Sequence, residues 1–326
     1  MKRILHFFKE TGYLLKDSFN NWASRDPFRN STVISYYTIF SLPGLGVIII
    51  NLAGYFFGTE AMTNEVSSQI EGMIGQEAAI TVERIIANAH ESQGLTLSSL
   101  ASIGVLIFGA TGVFYQVQQT LNIMWNVEAK PERQYIKFLM DRLFSFGMVL
   151  TIGFLLIVSL IISSLINALS QWLTVKFFGV IDLVLRVMDI TLSLGIITLL
   201  FSAIYKILPD VKIRWKDVWI GAFVTALLFV IAKYLLGLYF AFSNPGSVYG
   251  AAGSIILIML WTTYSALIML FGAEFTRVYA KRHGVKIEPA SHAEYIRSPK
   301  KKKPIQVEPE SNEYEAKEGR FKEKPG

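Results

Sequence analysis

Six apolar blocks, each long enough to cross a bilayer, dictate what this chain can fold into. They cover approximately residues 33–57, 96–120, 143–171, 183–206, 216–241 and 249–276. A spanning helix needs roughly 20 mainly apolar residues. In hydrocarbon the backbone must satisfy its own polar groups, which only helices and closed barrels achieve. No set of segments alternates with the period of two that barrel strands show. The chain is only 17% charged, against about 25% in soluble domains, and the deficit is concentrated in these blocks. The expected fold class is all-α: a polytopic bundle of six transmembrane helices.

Orientation follows from where Lys and Arg fall in the short connections. Segment 1–32 carries Lys2, Arg3, Lys9, Lys16, Arg25 and Arg29. Segment 121–142 carries Lys130, Arg133, Lys137 and Arg142, and segment 206–217 carries Lys206, Lys212, Arg214 and Lys216. The alternate connections are nearly bare: 58–94 has only Arg84 against six glutamates, 172–182 only Lys176, and 242–248 none. This alternation predicts that both termini are cytoplasmic. The first continuous apolar run starts near Val33, so the first span, rather than a cleaved leader, is expected to direct insertion.

Three regions flank or interrupt the bundle at 33–282. Residues 1–32 hold an amphipathic stretch in which Ile4, Phe8, Leu15, Phe19 and Trp22 recur at helical spacing. It is expected either to lie on the inner leaflet, held by apolar burial and anionic headgroups, or to pack on the cytoplasmic face of the bundle. Segment 58–94 is too polar to span. Its stripes Val66, Ile70, Met73, Ile74 and Val82, Ile85, Ile86, Ala89 predict one or two short outer helices. Residues 283–326, with Lys300 to Lys303 followed by alternating charges and prolines, are expected to form a disordered cytoplasmic tail. The expected partners are membrane lipids, through anionic headgroups near the N-terminal helix and Lys300 to Lys303, and a second copy of the chain; nucleic acid is not expected.

Catalytic chemistry finds little support. The chain has no cysteine. Its histidines, His6, His90, His283 and His292, lie outside the spans and in no two-histidine metal motif. Walker A and GxSxG sequences are absent. No enzyme activity and no cofactor is therefore expected. The polar and backbone-breaking residues within the spans remain as candidates. Pro43 removes a backbone donor beside Gly44, with Tyr37 on the cytoplasmic side, so a kink or break could line a cavity. Gln116, Gln119 and Asn122 share a helix face, where they would line a vestibule or bond a neighbouring helix. Tyr249, Gly250 and Gly253 make one end of the sixth span nearly free of side chains, suited either to close packing or to presenting backbone N–H groups to an anion.

Lys233 is the most unusual of these candidates. It stands in "LLFVIAKYLLGLYFAF" at membrane depth, where a charge costs about 2.5–3.5 kcal/mol on insertion scales. It is expected past the midplane, in the outer half. Span 4 places Asp182, Arg186 and Asp189 on one face, and Asp189 would reach the same depth, so Lys233, Asp189 and Arg186 form a candidate intramembrane polar site. Snorkelling to the headgroups is the alternative. Glu274 and Arg277 read as an interfacial pair.

Four blocks carry a resemblance: "SYYTIFSLPGLGVIIINLAGYFFG", "FGATGVFYQVQQTLNIMWNV", "KILPDVKIRWKDVWIGAFVTALLF" and "VYGAAGSIILIMLWTTYSALIMLFGAEF". In this order and at this spacing they resemble the YihY/BrkB family over about residues 15–282. The matching positions include Pro209, Asp210, Tyr249, Gly250, Gly272 and Glu274. The resemblance implies a six-span protein of the bacterial inner membrane. It also implies a lineage once labelled ribonuclease BN, a label regarded as a misassignment, and it brings no catalytic residues. The resulting expectation is a transporter or flippase of an unidentified anionic or lipid-like substrate. The alternative is a non-transporting envelope or assembly scaffold, and a membrane-bound ribonuclease is disfavoured by the missing metal ligands.

Overall fold

The computed structural model describes residues 2–91, 97–130, most of 140–158, 180–243, 249 and 252–296. Helix α1 (Lys2–Ala23) leads into α2 (Pro27–Phe57), then α3 (Thr59–Ile74), α4 (Gln76–Glu91) and α5 (Leu97–Trp125). Strand β1 (Val127–Ala129) follows, and a helix described over 140–151 is α6. Then come α7 (Val180–Ile207), β2 (Val211–Lys212), α8 (Trp215–Ser243), α9 (Gly253–Arg282), β3 (Glu288–Pro289) and β4 (Ala293–Tyr295).

This is an all-α membrane protein. Four described helices hold segments long and apolar enough to span: Pro27–Asn51, Ile190–Ile207, Trp215–Phe240 and Gly253–Arg282. Their exposure is inverted relative to a water-soluble fold. Only 22% of the Trp215–Phe240 window is buried, and Leu227, Ile231, Leu235 and Leu238 line an exposed face of α8. Such a stripe is stable only against hydrocarbon. Helix α5 covers the second expected span; most of the expected third span, 143–171, lies outside the described residues.

Without a hydrophobic drive between helices, a bundle is held by close packing of small residues and by interhelical hydrogen bonds. Both operate here. Helices α8 and α9 each carry a Gly-xxx-Thr pair, Gly221/Thr225 and Gly272/Thr276. A Cβ on Gly221 would overlap Thr276 Oγ1, and one on Gly272 would overlap Thr225 Oγ1. The two pairs are thus reciprocal, each glycine receiving the other helix's threonine. Both threonine hydroxyls are spent within their own helices, Thr225 on Gly221 O (2.7 Å) and Thr276 on Gly272 O (2.8 Å), so the contact between them carries no unsatisfied polar group. Tyr205 of α7 locks the same level: its hydroxyl donates to Met269 O (2.6 Å) and lies 3.0 Å from Thr225 Oγ1.

Helix α2 runs unbroken through Pro43, so the expected break is not there. Instead Ser41 reaches across to α5, donating to Gly109 O (2.5 Å) and accepting from Val113 N–H (3.2 Å). The carbonyl and the N–H are four residues apart on α5, so one hydroxyl contacts both ends of a single helical turn. Ser35 adds a bond to Met259 O of α9 (3.0 Å).

Segment 58–91, expected to hold one or two short helices, forms two, folded at Gly75 (φ 94°). Its predicted stripes pack onto the bundle: Ile74, Val82 and Ile86 join Val47, Ile50 and Ile258, with Val66, Ile70 and Met73 beside them. Gly46 on α2 gives Ile86 its seat, because a Cβ there would collide with the isoleucine.

At the opposite end, α1 docks on α9 through Leu14, which meets Phe275 and Val278. Its other face leaves Tyr13, Leu15 and Phe19 exposed. The stretch from 283, expected to be disordered, is ordered at its start. Residues 284–294 turn back onto the bundle: β3 pairs antiparallel with β2, Ala290 N–H donates to Asp210 O (2.9 Å), and Lys130 N–H donates to His292 O (2.8 Å). Composition concealed this, because the order comes from partners far away in sequence. The rest of the expected tail, with Lys300 to Lys303, lies outside the described residues.

The reciprocal glycine contact is directly testable. Gly221→Ala and Gly272→Ala should each destabilise the detergent-solubilised protein by about 1–3 kcal/mol, the usual cost of overpacking. Adding Thr276→Ala to Gly221→Ala should recover part of the loss. Thermal unfolding followed by tryptophan fluorescence reads both effects.

Candidate functional site

The bundle holds a partly open cavity of about 620 Å³. Its walls come from α2, α3, α5, α7, α8 and α9, and Leu155 contributes a further side. Most of the surface is apolar, with Ile34, Val117, Leu200, Phe201, Phe229 and Met269 prominent. The polar exceptions are Gln69, Ser193, Lys233, Thr262 and Ser265. Lys233 stands roughly 15 Å along α8 from its Ser243 end, at about 1.5 Å per residue. Gln69 and Met73 of α3 close the cavity on the side of the α3–α4 hairpin. On the other side, below Val117, Phe201 and Met269, the buried core around Leu121, Tyr205 and Leu270 fills the bundle.

Lys233 therefore faces a cavity in the bundle. It is half-buried and makes no hydrogen bond or ion pair among the described residues. Asp189 and Arg186 both lie on α7, but their side chains are outside the described residues. Thr262 spends its hydroxyl on Ile258 O (2.8 Å), whereas the Ser193 and Ser265 hydroxyls have no partner among the described residues.

The other candidates do not gather here. Pro43, Gly44, Tyr37, Gln116 and Gln119 are not among the described lining residues. Gly44 is buried, Tyr37 sits beside Gly112 and edge-on to Tyr36 (5.9 Å between centroids), and Gln116 Nε2 bonds Thr120 Oγ1 of its own helix (3.4 Å). Tyr249 is exposed, Gly250 lies outside the described residues, and Gly253 is buried at the first turn of α9.

Two polar clusters hold the β2–β3 end of the bundle. In the first, Asp210 is the hub. Asn122 donates to its Oδ2 (2.9 Å) while accepting from its backbone N–H (2.8 Å). Gln118 Nε2 bridges Asp210 Oδ1 (3.3 Å) and Asp141 Oδ1 (3.1 Å), and His292 Nε2 reaches Asp210 Oδ1 (2.9 Å). Of the residues expected on the α5 face, Asn122 makes the cross-helix bond; Gln118, Asp141 and His292 were not singled out. A Pro-Asp pair in a short loop between two apolar blocks was the available signal.

The second cluster corrects an expectation. Glu274 is fully buried rather than interfacial. Arg277 grips both its oxygens through Nε (3.2 and 3.0 Å) and Nη2 (2.5 Å), and Arg25 Nε lies 3.8 Å away. Arg25 also donates to Ile123 O near the end of α5. Burial lowers the pKa of Arg25, and the Glu274 carboxylate opposes that shift. The second arginine arrives from the turn before α2, a contact that helix spacing along α9 could not reveal.

A family model described as Virulence factor BrkB matches residues 18–297. The chain belongs to the BrkB family. It is similar to a UPF0761 membrane protein of Aeromonas salmonicida (strain A449), 30% identical over 74% of this chain and 80% of that protein. A UPF0761 membrane protein of Yersinia pestis (strain Pestoides F) is 30% identical over 69% of this chain and 76% of its own length. With the one from Tolumonas auensis the identity is 31%, over 59% of each chain. No solved structure matches. The BrkB match takes in both polar clusters and every described residue that lines the cavity.

The Asp210 hub should prove structural. Asp210→Ala strands the donors of Asn122 and Gln118 and should cost about 1–3 kcal/mol. His292→Ala should cost less, because the imidazole is 42% exposed. It should nonetheless free residues 284–294 for cleavage. Thermal unfolding and limited proteolysis with mass mapping separate the two effects.

Proposed function

We propose that this BrkB-family protein moves an anionic or lipid-like substrate across the bacterial inner membrane, as a transporter or flippase without enzymatic chemistry. The observation that carries this reading is the cavity of about 620 Å³ with Lys233 on its wall. A bundle that served only as a scaffold has no use for such a cavity, whose walls forgo contacts with one another. It gains nothing either by keeping at membrane depth a cation that costs about 2.5–3.5 kcal/mol to insert. Both become useful when the space receives a ligand. Ligand sites of about 300–1,000 Å³, mainly apolar with a few polar groups, are the usual form.

The proposed arrangement has six spans with both termini in the cytoplasm. The α3–α4 hairpin then covers the outer end, and the Asp210 and Glu274 clusters close the cytoplasmic end. The exposed face of α1, with Tyr13, Leu15 and Phe19 beside Lys9 and Lys16, would lie against anionic headgroups of the inner leaflet.

Two measurements test this reading. Reporter fusions within 126–135, within 208–214 and after residue 284 should read as cytoplasmic, and fusions within 60–92 as external. One fusion on the wrong side breaks the six-span arrangement. For activity, proteoliposomes holding the purified protein should move a fluorescent anionic lipid analogue between leaflets faster than protein-free vesicles. Equal rates, together with equal rates for small anions, would favour the scaffold.

A further inference from the structure

We infer that the cavity is a binding site for a single-chain amphipathic anion, its charged head on Lys233 and its apolar chain along the Leu200–Phe201–Phe229 wall. The inference deepens the transport reading and rests on taking the cavity as that substrate's site.

The chemistry of the lining selects this class. One end offers an ammonium with no ion-pair partner among the described residues. The Ser265 and Ser193 hydroxyls line the same cavity, make no hydrogen bond among the described residues and can donate to an oxyanion. Thr262 is not a donor here, because its proton is committed to Ile258 O. No carboxylate stands among the described lining residues, so the described wall does not favour a cationic head. The remaining wall is aliphatic and aromatic, a surface that rewards burial of an alkyl chain and not of a second polar group. A small inorganic anion would meet the ammonium but leave the apolar length unfilled. A neutral amphiphile would leave the ammonium without a counter-charge among the described residues.

The site also contains its own reporter. Phe229 lines the cavity and meets Trp261 edge-on, with 6.1 Å between ring centroids. Filling the cavity should change the fluorescence of Trp261.

The experiment uses full-length protein in a neutral detergent. It titrates dodecyl phosphate, inorganic phosphate and dodecyltrimethylammonium, reading tryptophan fluorescence and native mass spectrometry in parallel. Dodecyl phosphate should bind saturably at one site, while the other two should not. Lys233→Met should weaken dodecyl phosphate by about tenfold or more, in the range for a lost close charge pair. Lys233→Arg should retain most of the binding. Trp261→Phe should abolish the fluorescence change while the mass shift remains. If Lys233→Met fails to fold, Ser265→Ala with Ser193→Ala provides the test, and this double variant should weaken binding severalfold. Equal binding of inorganic phosphate or of the trimethylammonium would overturn the inference, as would wild-type affinity in the variants that fold. The outcome is separable from transport. Binding without flux removes the transport reading and leaves the site; flux without saturable binding of dodecyl phosphate removes the site assignment.

Discussion

Helices α8 and α9 can touch because neither has a side chain at Gly221 or Gly272, and the rest of the bundle is arranged around that contact. Each glycine accepts a threonine from the opposite helix, with its hydroxyl already satisfied at home. In a medium as apolar as the side chains, such close approach supplies packing energy that burial cannot supply. The contact sits at the β2–β3 end of both helices. Farther along both helices, Phe229 and Lys233 of α8 and Thr262, Ser265 and Met269 of α9 line the cavity, while Phe229 still meets Trp261 edge-on.

The polar clusters serve the closed end. Glu274 cannot remain charged and fully buried without partners, and two arginines from different parts of the chain provide them. Asp210 is likewise held by side chains from α5 and by the segment after α9. Each cluster ties together elements that the apolar packing alone would leave free to slide. Lys233 differs in kind: it lines a cavity and has no ion-pair partner among the described residues.

Much of the design was legible in advance. Long apolar blocks announced the helices, the stripes of Val66, Ile70, Val82 and Ile86 announced the α3–α4 hairpin, and the lone lysine of the fifth block stood out against its neighbours. Other features were hidden for a physical reason. His292 lies in a stretch whose composition cannot sustain a core of its own, yet it is ordered because Asp210 and β2 are waiting for it. Pro43 offered a kink or a break, but α2 is one helix across it, and the nearby Ser41 hydroxyl bonds the α5 backbone at Gly109 and Val113, a contact that no local pattern announces.

By itself the sequence determined the solvent of this protein and the kind of element it is built from. Hydropathy and backbone hydrogen bonding are local properties, and a run of apolar residues in a bilayer has almost no choice but to be helical. Which helices approach, which polar groups find partners and where a cavity is left were decided only by tertiary structure. Those outcomes depend on the meeting of side chains scores of residues apart, such as Gly221 with Thr276 or Lys233 with the wall that Ser265 completes, and no local pattern encodes such meetings.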